Sequence, residues 1–410
     1  MNSGAPEPVF RPPTMRTRIG GFAMRRMPLL LRIARRLWPI PRLGNNYIVT
    51  RYDDVRDVYL NDRAFGVPYK TNLDVIMDGE PFFLSMGDTP AYHAGRNAML
   101  EVVKREDIPA RLVPQAEAMA EAIVEQAGGR LEVVDQLARR VTFDLLGDYF
   151  GVPDPPGGDL RVWGTRLFEF QFADDGTPAL RAEVERIGKA LRDHIDAELA
   201  RRRSHPDGKD DVMARCLAMQ AEDRPGYSDV EIRTALMGMI VGGPPQPPMV
   251  VPQALDQLLC RPDALRGAQR AARDGDDETL ACYVFEAMRF DPIAPVMPRV
   301  AVADGIIAAG TRHERRVPKG SKLMVGLSSA MMDSRRLPNP YEFDPRRQPH
   351  EYIHFGYGLH QCFGIHINKA VLPIMLKPLL KRENLRRARG RAGRLRKQGP
   401  FAVELNVRYD

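Results

Sequence analysis

A chain of 410 residues, 44% of them apolar, can bury a substantial core, and it holds no run of about 18 consecutive apolar residues that could cross a bilayer as a helix. With 60 Lys and Arg against 53 Asp and Glu the net charge is +7, which admits an anionic partner, although no nucleic-acid-binding arm is expected. The 4 cysteines form no CxxC pair or metal-ligand spacing, and no secretion signal opens the sequence, so a reducing, cytoplasmic setting is expected.

Residues 1–20, with Pro6, Pro8, Pro12 and Pro13, read as a flexible leader, and residues 21–410 as a single domain. From Met24 to Trp38 basic and apolar residues alternate at helical spacing. Such a helix lies on a membrane surface or packs on the domain as its first amphipathic element; packing is the favoured reading, and membrane contact is not expected. Tyr47 to Tyr52 is β-branched and aromatic, a short strand, and Asp53 to Leu60 follows as a helix with an acidic cap. Asp88 and Pro90 form a turn that feeds a helix carrying His93 and Arg96. Residues 110–240 are dominantly helical, with a helix opening at Leu131 and another running from Ala179 to Arg203. The aromatic stretch from Trp163 to Asp175 includes Phe168, Phe170 and Phe172.

Between Met237 and Val251 the chain reads M-G-M-I-V-G-G-P-P-Q-P-P-M-V-V. Each interior proline removes an N–H and costs a helix about 3 kcal/mol. Pro244, Pro245, Pro247 and Pro248 therefore predict a break between roughly Gly243 and Pro248, leaving unpaired carbonyls. Glu286 and Arg289 lie on one helix face, where they can pair. Residues 293–297 read as a strand edge before Pro298 and Arg299, residues 309–320 as a charged insertion, and 323–325 as a short strand. The Arg-rich stretch from Lys381 to Lys397 has no aromatics for base stacking and reads as a solvated loop face.

The most specific stretch is Phe355 to Gly364, F-G-Y-G-L-H-Q-C-F-G. Glycines 356, 358 and 364 allow tight turns and close approach to a flat ligand. Cys362 precedes a helix-forming segment, so its sulfur is expected near a helix N-terminus, where amide donors and the dipole favour a thiolate. This order resembles the haem-binding signature F-x-x-G-x-x-x-C-x-G of the cytochrome P-450 family.

The resemblance implies a mainly α single domain with small β-sheets, the cytochrome P-450 fold, around one haem b (iron protoporphyrin IX). By it, Cys362 is the axial iron ligand, Phe355 shields the sulfur, and Gly356 and Gly364 belong to the cofactor cradle. His360, His93, Arg96 and Arg299 are candidate contacts to haem propionates, while Glu286 and Arg289 are structural, tying to the segment 343–347. The aromatic stretch at 163–175 would roof the substrate pocket, or is plain core.

In the resembling family the central helix carries an acid and an alcohol that relay protons during dioxygen activation. Aligning Gly242-Gly243 with the family's Ala-Gly places Pro245 and Gln246 at those two positions, so both relay groups are missing. Gln246, with Gly242 and Gly243, is the candidate catalytic set, able to orient a water or a substrate oxygen. The implied activity is monooxygenation of an apolar or amphipathic small molecule with a ferredoxin-type redox partner. The alternatives are peroxide-using or redox-neutral chemistry, and a haem protein that binds ligand without turnover.

Overall fold

The structure, a computed structural model, describes residues 9–11, 15–173 and 177–410. Helices come first and carry most of the core: α1 (Met15–Leu37), α2 (Tyr52–Leu60), α3 (Lys70–Met77), α4 (Pro90–Val102), α5 (Val113–Gln126) and α6 (Arg140–Phe150). The middle of the chain adds α7 (Leu160–Ala173), α8 (Pro178–Ser204), α9 (Val212–Ala221), α10 (Asp229–Gly242) and α11 (Pro247–Leu259). Then follow α12 (Pro262–Asp274), α13 (Asp277–Phe290), α14 (Leu327–Ala330) and α15 (Ile365–Lys381).

One sheet joins the two ends of the chain, built from β1 (Arg42–Leu43), β2 (Asn46–Val49), β3 (Phe65–Gly66) and two later strands. Ahead of these, the helix expected to open at Leu131 begins instead as a strand, β4 (Arg130–Glu132), followed by a π-helical turn, Val133–Arg139, before α6. The later partners are β5 (Met297–Ala301) and, past the hairpin β6 (Gly305–Ile307)–β7 (Arg315–Val317), β8 (Lys322–Val325). The order is β1-β2-β8-β5-β3. β2 and β8 pair in parallel with Tyr47 opposite Leu323 and Val49 opposite Val325, and these four side chains are buried. The period-2 alternation of both strands thus turns one face onto α2 and α14.

Near the C-terminus, β9 (Arg386–Arg387), β10 (Arg396–Gln398), β11 (Phe401–Glu404) and β12 (Asn406–Arg408) complete two smaller sheets. The stretch expected as a solvated loop is therefore partly strand, and its charges are engaged: Arg387 pairs with Asp256, and Lys397 with Asp291 at 2.7 Å. The expected insertion at 309–320 is the β6–β7 hairpin, tied to α2 by His313 Nε2 at 2.9 Å from Asp54 Oδ2. The expected strand edge begins later, at Met297.

The leader expected over residues 1–20 lies partly outside the described residues, and the rest is ordered. Phe10 packs on Phe401 with ring centroids 5.5 Å apart, the Arg11 carbonyl accepts from Gln398 Nε2 at 2.9 Å, and α1 starts at Met15.

α10 and α11 run through the core, and every residue from Ile232 to Val241 except Arg233 is buried. A helix apolar on all sides has to be buried. Ser228 and Glu231 cap its start reciprocally, so the N-terminal half is pinned while the C-terminal end is decided by the prolines.

Candidate functional site

The Cys loop is held by its own backbone. Gly356 and Gly358 take φ of +69° and +70°, and a Cβ on Gly358 would lie 2.7 Å from the Tyr59 carbonyl. Only glycine tolerates both the turn and that approach. Gly364 has an ordinary φ of −82° and caps α15, so it serves as a spacer and not as a left-handed turn. The Cys362 amide donates to the Phe355 carbonyl at 2.9 Å, closing the loop. Its Sγ faces the side-chain amide of Asn368 at 3.8 Å and the Gly364 N–H. Burial pushes the Cys362 thiol up, and these two donors oppose it. A bound cation in place of the proton reverses that balance, since a coordinating thiol is deprotonated outright.

Beside the loop, several segments converge. Tyr92 of α4 donates to the Leu359 carbonyl at 2.5 Å, and its ring stands edge-on to His360 with centroids 5.7 Å apart. Arg96, one turn later, adjoins the Tyr92 hydroxyl. From β5, Arg299 lies over the Tyr59 ring at 4.5 Å and is 4% exposed. His360 is pushed down to about 4, by burial first and by the Arg299 guanidinium second, so its ring is neutral near pH 7. Asp62 approaches His360 Nε2 to 4.0 Å and accepts from the Leu359 amide at 3.2 Å.

His93 takes a different place. It points to solvent, 2.7 Å from Asp88, with both side chains 53% exposed. The helix turns about 100° per residue, so the inward face carries Tyr92 and Arg96, four apart, and not His93. Tyr92, Asp62, Tyr59 and Asn368 went unrecognised in the sequence; the i, i+4 spacing of Tyr92 and Arg96 was the available signal.

The fit to an iron porphyrin rests on unfinished polar groups. His360 Nε2 and Arg299 Nε are buried and have no hydrogen-bond partner among the described residues. Orphaned buried donors are costly, and two of them near one another call for an acidic acceptor. A porphyrin carboxylate supplies one. At the end of α10, a Cβ at Gly242 would meet nothing within 4 Å, whereas one at Gly243 would lie 2.8 Å from the Met239 carbonyl. The end of α10 therefore borders open space at Gly242 and core at Gly243. A thiol with two amide donors and unpaired buried nitrogens beside it fit the group.

The break in the central helix lies where the prolines demand it: α10 ends at Gly242 and α11 begins at Pro247. Pro247 and Pro248 occupy the first turn of α11, where a missing N–H goes unnoticed. Pro244 and Pro245 withhold the donors that a continuous helix would bring to the carbonyls of Ile240 and Val241. Gln246 does not reach outward. Its side-chain amide donates to the Gly242 carbonyl and replaces the lost helical bond.

Behind the loop, Glu286 and Arg289 form a bidentate pair at 2.6 and 2.8 Å with both side chains 0% exposed. Arg289 also donates to the carbonyls of Met331, Pro340 and Glu342, while Glu286 accepts from the Asp344 amide, Arg347 and the Tyr352 hydroxyl. The pair thus fixes residues 340–352, from which the Cys loop departs. Phe355 adds an edge contact to Phe285 at 6.1 Å.

Comparison with known proteins agrees with this geometry. The profile of the family described as Cytochrome P450 matches residues 278–398, which carry the Glu286–Arg289 pair, Arg299 and the Cys loop. Vitamin D(3) 25-hydroxylase of Pseudonocardia autotrophica is 24% identical over 329 residues, 78% of this chain and 76% of that protein. Cytochrome P450 monooxygenase PikC of Streptomyces venezuelae is 25% identical over 343 residues, 82% of this chain and 77% of that protein. P450BioI, solved with an acyl carrier protein bearing hexadec-9Z-enoic acid, shares the fold with a TM-score of 0.81 at 18% identity, covering 96% of this chain and 100% of that one. The matched segment holds the thiol loop and its bracing pair, and relatives named as cytochrome P450 extend over about four-fifths of the sequence, so the chain has the fold of these proteins and is similar to the cytochrome P450 family along most of its length.

Proposed function

We propose that Cys362 holds the iron of a haem b, that Arg96, Arg299 and His360 hold its propionates, and that the protein oxidises an apolar or amphipathic small molecule. The observation that carries this reading is the pair of unsatisfied buried donors, His360 Nε2 and Arg299 Nε, beside the Cys362 loop. When bound, a thiolate-ligated haem supplies electron donation that favours O–O cleavage. The chain's own groups then do the rest. Asn368 and the Gly364 amide hold the sulfur's charge, and Phe355 fills the space beside the loop. Phe168, Met249 and Phe401 form a small apolar cluster apart from the main core, suited to the wall of a substrate pocket. Exposed Lys104, Arg105 and Lys369, near the start of α15, offer a basic rim for an acidic ferredoxin-type partner.

Redox-partner-dependent monooxygenation is the first reading. The split helix favours a second, in which the oxygen donor is a peroxide or the reaction is redox-neutral. Residues 237–253 contain no ionisable side chain, and the only amide near the break is spent on Gly242. No side chain there can pass a proton inward. Turnover of one bound substrate with reductase, ferredoxin and dioxygen, against hydroperoxide alone, separates the two. Product confined to the hydroperoxide arm removes the first reading; coupled NAD(P)H use with product removes the second. A purified chain that takes up no haem removes both.

A further inference from the structure

α1 is fastened to the domain along one edge. Leu31 is 2% exposed, and the buried Arg35 guanidinium donates to the Ser329 carbonyl at 2.7 Å, the Ser329 hydroxyl at 2.8 Å and the Tyr341 hydroxyl at 2.9 Å. On the other side Phe22, Leu29, Leu30, Ile33 and Leu37 are 57, 53, 55, 49 and 71% exposed. At about 100° per residue these five fall in one arc roughly 100° wide, opposite Leu31. Trp38, 69% exposed, continues the apolar surface past the end of the helix. The helix was expected to bury its apolar residues by packing. Among the described residues it has two apolar faces, and the domain covers the one with Leu31.

Charge identifies what covers the other. Exposed Arg26 lies within the arc, and exposed Arg36 and Arg32 lie about 20° and about 60° beyond one edge of it, Arg32 over the Tyr341 ring at 4.5 Å. Between Glu7 and Asp53 the sequence has 10 Arg and no Asp or Glu. A protein partner would have to present an apolar groove and an acidic rim together. An anionic bilayer presents acyl chains below a layer of phosphates, with a depth matched to a helix lying flat. No helix among the described residues is long and apolar enough to cross a membrane, so the contact is interfacial.

We propose that α1 is an interfacial helix that seats the protein on an anionic lipid surface, with Phe22, Leu29, Leu30, Ile33 and Leu37 in the acyl boundary and Arg26, Arg32 and Arg36 on the headgroups. The test uses the full-length holoenzyme and sedimentation with vesicles of phosphatidylcholine alone or mixed with phosphatidylglycerol. The expected result is co-sedimentation with the mixed vesicles, loss of it at high salt, and a partition lowered about tenfold or more in the double variant Leu29→Glu/Ile33→Glu. Brominated lipid should also quench Trp38 emission in the unsubstituted protein, which needs no variant to fold; Trp163 is only 7% exposed. The proposal is overturned if the holoenzyme stays in the supernatant with both vesicle types, or if the double variant folds and binds as before. It is equally overturned if the lipid-free protein self-associates through this face, the double variant being monomeric, since a second copy would then be the cover.

Discussion

The side chain of Gln246 folds back on Gly242, donating to the carbonyl of the last residue of α10. Its role by this geometry is to end a helix. Gln246→Ala should cost about 1 kcal/mol in denaturant unfolding of the holoenzyme, and hydroperoxide-driven turnover should change by less than about twofold. A large fall in turnover at unchanged stability would show instead that the amide acts on substrate.

Restoring a relay tests the consequence of the prolines. Pro245→Asp with Gln246→Thr should raise product formed per NAD(P)H in the reductase-driven assay by about tenfold, with no gain in the hydroperoxide-driven assay. Equal effects in both assays would mean that the break acts through pocket shape and not through proton supply.

Haem retention should distinguish the inward from the outward cations. Arg299→Ala should lower haem affinity about tenfold or more, as expected for a lost charge-assisted hydrogen bond. His93→Ala should leave it unchanged, because that ring is spent on Asp88 in solvent. Haem transfer to apomyoglobin measures both, and a His93 variant that loses haem as fast as the Arg299 variant would contradict the placement of α4.

His354 predicts an acid-sensitive fold. Burial pushes its imidazole down from 6.5 to about 4; the Phe285 carbonyl, 2.9 Å from Nε2, opposes this, and the charges of Arg289 and Lys369 reinforce it. Tyr352 stacks on the ring at 5.0 Å. Because the folded state stays neutral while the unfolded state binds a proton below about 6.5, stability is complete above that pH and is lost as pH falls toward 4. At about 1.4 kcal/mol per unit the loss approaches about 3 kcal/mol. Denaturant midpoints of wild type and His354→Gln between pH 7 and 4 check this, and the variant should lose part of the slope.

Removing one partner of the buried pair should be severe. Glu286→Gln leaves the buried Arg289 guanidinium with no carboxylate, and Arg289→Leu leaves Glu286 with Arg347 as its one remaining cation, each at a cost of about 3–5 kcal/mol. The expected result is little soluble holoenzyme. Arg289→Lys should not rescue it, since one ammonium cannot reach three carbonyls and a carboxylate together. Soluble, haem-loaded Arg289→Lys protein of normal stability would refute the bracing role.

What the sequence made legible follows from how local each signal is. The Cys loop and the Glu286–Arg289 spacing are contiguous patterns, and the prolines at 244–248 forbid a continuous helix by covalent structure alone. The face of α4 was harder. His93 and Tyr92 differ by one residue, and only the helix phase set by Tyr92 reaching Leu359 decides which of them turns inward. Arg35 was illegible for a related reason: a buried guanidinium is permitted only by partners nearly 300 residues away on Ser329 and Tyr341. The β6–β7 hairpin looked like an insertion because its polar side chains find partners across the chain, His313 on Asp54.

The interruption between α10 and α11 also changes how the protein carries force. A single rod spanning the core would pass a twist at one end to the other, whereas two shorter rods joined by a turn with so few amide donors can tilt separately. Met249 and Val250 belong to the C-terminal rod alone, while Ser228 and Glu231 anchor the first. Four imino acids at the joint carry no exchangeable proton, so deuterium labelling will report such tilting only through the flanking amides of Gly243, Gln246 and Met249.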